Sequence, residues 1–148
     1  MMYLSSHFTL DEMTHSQAAA RAGIDNTPIP AIVDNLKRLA YGLEEVRTLL
    51  NGEAIMISSG YRSPEVNKLV GGKPNSQHQT GNAADFTCPA YGPTQKIIAA
   101  IIASTINYDQ VILEFASSST GGWVHISFTD TPRRMALVID LAGTRAYA

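Results

Sequence analysis

Tyr108-Asp109-Gln110-Val111-Ile112-Leu113-Glu114-Phe115-Ala116, then Ser117-Ser118-Ser119-Thr120-Gly121, then Gly122-Trp123-Val124-His125-Ile126-Ser127-Phe128-Thr129, is the stretch that decides the fold. Two apolar runs rich in β-branched and aromatic side chains flank a small polar segment, which predicts a hairpin with a long loop. Alternation along the second run puts Trp123, His125 and Ser127 on one face. With Ala116 opposite Trp123, Glu114 falls opposite His125, where directly opposed Cβ atoms stand about 4.5–5.5 Å apart. That register is an expectation, since a slip of one residue turns Glu114 to the other face.

Upstream, the pattern changes from strands to helices. Thr9-Leu10-Asp11-Glu12 has the form of a capping box. Ser16 to Ala22 predicts a second short helix, stopped by Gly23, and Asp25-Asn26-Thr27-Pro28-Ile29-Pro30 is a breaker segment. From Pro30 to Leu50, Ile32, Leu36, Leu39, Leu43, Val46 and Leu50 recur at spacings of three and four, the mark of a long amphipathic helix. Asn51-Gly52 turns the chain into a short strand, Ala54 to Ser59. Gly60-Tyr61-Arg62-Ser63-Pro64 is a loop whose Ser63 and Pro64 open a short helix through Lys68. Val70 to Thr80 reads as a polar loop, Ala83 to Thr87 as a strand, Thr94 to Ser104 as a helix, and Leu137 to Leu141 as an edge strand. Helices first and strands later predict an α+β fold, with N-terminal helices packed on a small antiparallel sheet.

Composition narrows the classes of function. The chain of 148 residues predicts one domain over 1–148, long enough to bury a core unaided. A formal charge of −2 gives no footprint for nucleic acid or an anionic membrane surface. No segment reaches the about 20 apolar residues of a membrane helix. The start of the chain lacks the basic and apolar regions of a secretory signal, so synthesis in the cytoplasm is expected. Cys88 is the only cysteine, which excludes an internal disulfide and a multi-cysteine zinc site.

The chemistry concentrates in Ser76-Gln77-His78-Gln79-Thr80-Gly81-Asn82-Ala83-Ala84-Asp85 and in His125. Two imidazoles and one carboxylate with a fourth position open make a catalytic zinc set. Gly81 and Ala83-Ala84 keep the intervening backbone small, and alternation puts Ala83 and Asp85 on one face. Glu114 beside His125 stands where a general base belongs. Arg62, on a constrained loop, can polarise a carbonyl or hold a carboxylate.

Three segments carry a family resemblance: Ser59-Gly60-Tyr61-Arg62-Ser63 followed by Asn67, Ser76-x-His78-x-x-Gly81-x-Ala83-x-Asp85, and Trp123-x-His125. Together they resemble the zinc D-alanyl-D-alanine peptidases, which include carboxypeptidases, dipeptidases and phage L-alanyl-D-glutamate endopeptidases of bacterial peptidoglycan. The chain is most similar to the compact phage-type branch, where segments like His7-Phe8-Thr9-Leu10-Asp11-Glu12 and Gly23-Ile24-Asp25-Asn26-Thr27-Pro28 also recur. The resemblance implies Zn2+ on His78, Asp85 and His125, with Arg62 steadying the scissile carbonyl or the substrate. Tyr61, Ser76 and Trp123 are then expected to contact substrate or support the ligands. It further implies a monomer that acts on peptidoglycan stem peptides after phage-type release or virion delivery. One departure stands out. Many members carry the catalytic acid three residues before the last histidine, where this chain has Gly122, so the base falls to Glu114.

Three other readings compete. A D-alanyl-D-alanine carboxypeptidase would share the fold. Cys88 with His125 would make a cysteine peptidase, although nothing marks the thiol as reactive. A zinc-stabilised wall-binding domain would keep the metal and lose the chemistry, for which the missing acid at Gly122 argues; separately, Glu114 could be a strand carboxylate paired with Arg133 or Arg134.

Overall fold

The computed structural model describes residues 2–148. Its helices are α1 (Leu10–Thr14), α2 (Gln17–Ala22), α3 (Pro30–Leu49), α4 (Pro64–Leu69) and α5 (Thr94–Ala103). Its strands are β1 (Met56–Ser59), β2 (Ala83–Thr87), β3 (Gln110–Glu114), β4 (Trp123–Ser127), β5 (Met135–Asp140) and β6 (Gly143–Ala146). They form one sheet in the order β1-β2-β4-β3-β5-β6, so the fold is α+β, as expected.

Local signals set the helix ends. Thr9 accepts from the Glu12 backbone and Glu12 returns a bond to the Thr9 N–H, which closes the capping box of α1. Ser16 caps α2, and Ser63 caps α4 with Pro64 following. The expected helix over Pro30 to Leu50 is α3. Its apolar stripe is buried at Leu36, Leu39, Leu43 and Val46. It packs with Ile97, Ile98 and Ile101 of α5 in one core with Ala84, Phe86, Val111, Leu113, Val124 and Ile126 from the sheet. Each fully buried aliphatic side chain there stabilises the fold by roughly 1.5–3 kcal/mol. The other sheet face, carrying Asp85, Ile112, Glu114, Trp123 and His125, lines a cavity.

Four departures from the sequence reading matter. The hairpin pairs Glu114 with Trp123 and Ile112 with His125, two residues away from the expected register. Phe115 is the cause: its φ of 53° breaks the strand, and its N–H donates to Ile139 instead. A two-residue slip preserves the facing of side chains, so Glu114 stays on the His125 face. Next, β5 is not an edge strand, because it pairs with both β3 and β6. The sheet is also not purely antiparallel, since β5 runs parallel to β3. The chain leaves β4 at the end where β3 begins, and β2 already fills the other side of β4. The short connection therefore reaches only the open edge of β3, where Met135 bonds the Asp109 carbonyl. Finally, the expected loop up to Thr80 ends in a 3-10 helix, Gln77–Thr80, whose start is capped by Ser76. No helix among the described residues is long and apolar enough to cross a membrane.

Candidate metal centre

His78 sits on the 3-10 helix, and two bonds fix that helix against the Gly60–Arg62 turn. The ring nitrogen Nδ1 of His78 lies 2.7 Å from the Gly60 carbonyl, and the Arg62 N–H donates to the His78 carbonyl at 3.0 Å. A carbonyl partner makes Nδ1 the protonated nitrogen, so the Nε2 lone pair faces the site. Gly60 is required here, since a Cβ would run into the Met13 carbonyl. Asn26 ties the same turn down: its amide donates to the Thr14 and Tyr61 carbonyls, and its oxygen accepts from the Ser63 N–H.

Asp85 and His125 are register partners on β2 and β4, which places their side chains next to each other on one face. Asp85 Oδ1 lies 3.2 Å from His78 Nε2 and 3.0 Å from His125 Nδ1. The three candidate ligand atoms all lie within 4.8 Å of one another. Burial raises the Asp85 pKa, but the charge and hydrogen bonds of the two imidazoles outweigh it, and the carboxyl is held below the usual range. Two neutral-capable imidazoles and one ionised carboxylate, with a cavity in front, fit the donor set of a three-ligand zinc site.

Glu114 flanks this cluster. Its Oε2 lies 3.9 Å from His125 Nδ1 and accepts a 3.2 Å bond from the Trp123 indole N–H. Burial raises its pKa, and the Asp85 charge adds to that. Neither arginine weighed as its partner reaches it. Arg133 binds Asp109, and Arg134 donates to the Ile106 and Ser104 carbonyls. Gly122 also has a structural explanation. Its φ is 66°, and a Cβ there would strike the backbone of Glu114 and Phe115. The position needs glycine, so the carboxylate beside the cluster comes from the neighbouring strand.

Arg62 lines the same cavity, and its buried Nε has no hydrogen-bond partner among the described residues. Ser76 lines the cavity too, and its Oγ accepts from the His78 N–H. Trp123 forms part of the wall and packs on Phe115. Tyr61 is buried in the core, so it supports the Arg62 turn from behind. Cys88 is fully buried in that core, and burial raises its thiol pKa, which removes the cysteine-nucleophile reading. Sequence reasoning missed Asp109. This carboxylate, 2% exposed, accepts from Gln77 and from the Arg133 backbone and guanidinium. Its only sequence signal was an acid at the start of an apolar strand.

Two cavities border this part of the molecule. One of about 730 Å³ runs over the sheet face, and one of about 530 Å³ is bounded by α2, β1 and α4. Arg62, Val70 and Asp85 line both, while His78, Glu114 and His125 line the larger one.

An α+β sheet that presents two histidines, an aspartate and a flanking glutamate to an open cleft has the donor set of a metal-dependent hydrolase centre. The family model described as Peptidase M15 matches residues 6–127, and the chain belongs to that family, whose members are zinc peptidases acting on peptidoglycan peptides. No curated protein matches the chain.

Proposed function

We propose that this protein is an endolysin-like L-alanyl-D-glutamate endopeptidase, with Zn2+ held by His78, Asp85 and His125. The observation that carries the endopeptidase reading is the pair of cavities sharing Arg62 and Asp85. A stem peptide can then extend on both sides of the scissile bond. A D-alanyl-D-alanine carboxypeptidase needs a cleft closed beyond a terminal carboxylate.

Zinc, when bound, supplies a Lewis acid that polarises the carbonyl and acidifies water. Glu114 takes the proton from the attacking water and delivers it to the leaving amine. Burial makes it a stronger base than an exposed glutamate. Trp123 fixes one carboxylate oxygen and leaves the other for the proton. Arg62 donates to the carbonyl oxygen as negative charge builds there. A monomer acting on the cell wall after phage-type release or delivery in a virion fits this chemistry.

The test is digestion of purified peptidoglycan by the zinc-loaded protein, with mass spectrometry of the products. New L-alanine C-termini and D-glutamate N-termini are expected. Release of D-alanine alone would make it a carboxypeptidase. Binding to peptidoglycan without any cleavage would leave the wall-binding reading.

A further inference from the structure

The larger cavity is chemically asymmetric along β3. The carboxylates lining it are Asp85 and Glu114, and Glu114 lies at the end of the strand opposite Gln110. At the Gln110 end the lining contains Arg133, held by Asp109, and Lys73 lines the same cavity from the loop before the 3-10 helix. Arg133 is held from behind through its guanidinium, and Lys73 through its backbone alone. Arg133 gives Nε and Nη2 to Asp109 at 2.8 and 2.7 Å, while Gln77 donates to the same carboxylate at 2.8 Å. Asp109 thus joins the Arg133 segment to the 3-10 helix that carries His78. The Lys73 backbone is pinned by the buried Asn67, whose amide donates to its carbonyl at 2.8 Å, and by the Ser76 N–H at 3.0 Å. The Lys73 side chain is exposed and makes no ion pair among the described residues.

We propose that Lys73 and Arg133 form a carboxylate-recognition subsite that takes an acidic residue of the peptide substrate beside the scissile bond. Asp109 offsets the formal charge of Arg133 but uses only part of its planar set of five donors. Lys73 carries the uncompensated charge. A fixed guanidinium and an uncompensated ammonium lining one cavity suit a carboxylate, and a neutral amide at the same place would bond more weakly. The inference rests on the peptidase reading and extends it to substrate choice.

The experiment uses the zinc-loaded full chain and two stem peptides that differ only at the D-glutamate α-carboxyl, free in one and amidated in the other. Wild type should show a KM about tenfold lower for the free acid. Lys73→Glu should invert that preference while kcat stays near wild type. Arg133→Lys, which keeps a charge on Asp109 and so preserves the fold, should raise the KM for the acid alone. Equal KM values in wild type, or a Lys73→Glu variant that loses kcat on both peptides alike, would overturn the subsite. If wild type cleaves neither peptide, calorimetry of binding decides. Tighter binding of the acid that is lost in Lys73→Glu keeps the subsite and overturns hydrolysis; equal binding overturns both.

Discussion

At the scale of single residues, Glu114 and Gly122 belong together. The family resemblance leads to the expectation of an acid where this chain has Gly122, and here the backbone at that position admits no Cβ. Glu114→Gln should therefore lower kcat by about 10²–10⁴, with zinc affinity near wild type by competition with a chromophoric chelator. Gly122→Asp should not restore an acid. A side chain at φ 66° strains the turn and pushes on Glu114, so both thermal midpoint and kcat should fall. An active, stable Gly122→Asp protein would mean that the loop can remodel. Trp123→Phe keeps the ring but removes the bond to Glu114. It should cost about 1 kcal/mol of transition-state stabilisation, read as a several-fold drop in kcat with KM little changed.

At the scale of elements, the long helix, the metal-ligand motif and the two strands of the hairpin were legible because each follows a short-range rule. Period 3.6 marked α3, and the spacing from His78 to Asp85 marked the two side chains that meet in the cluster, although the sequence reads as a loop at the turn carrying His78. The register was not legible, because nothing in Glu114-Phe115-Ala116 signals a left-handed φ at a phenylalanine. The last strand was missed because Gly143-Thr144-Arg145-Ala146 has no apolar alternation and is exposed throughout. The Asp109 network was hidden for a different reason: Gln77, Asp109 and Arg133 meet only through tertiary structure. That network makes a pH prediction. Hydrogen bonds from Arg133 lead the effects that hold the Asp109 carboxyl down to about 2 from an ordinary 3.8. A depressed native pKa contributes stability that is fully present above the ordinary value and is lost as pH falls through the native one. The urea midpoint should therefore fall between about pH 4 and 2. Asp109→Asn should start lower at neutral pH and lose less over that window. Parallel curves for the two proteins would remove Asp109 from the acid transition.

At the scale of the whole molecule, the core and the candidate centre occupy opposite faces of one sheet. Leu36, Leu39, Leu43, Ile97 and Ile101 are fully buried against the far face, and none of them touches the ligand cluster's cavity. The candidate ligands are also in place through bonds within the chain, with His78 on Gly60 and both imidazoles on Asp85. These contacts predict a fold that assembles without metal, in contrast to small domains whose folding energy comes from zinc. Removing metal with a chelator should abolish peptidoglycan cleavage but leave a cooperatively unfolding protein with native far-ultraviolet circular dichroism. Zinc binds only the native state, so free metal at a hundredfold over Kd should add about 2.7 kcal/mol. For a chain of this length that corresponds to a rise in Tm of roughly 5–10 °C. Readdition of zinc should restore both the Tm and the activity of the chelated wild type. It should restore neither in His78→Ala, which loses a ligand that lies outside the core. A metal-free protein without a thermal transition would place the metal among the determinants of the fold, and a metal-free protein that still cut peptidoglycan would remove it from the chemistry.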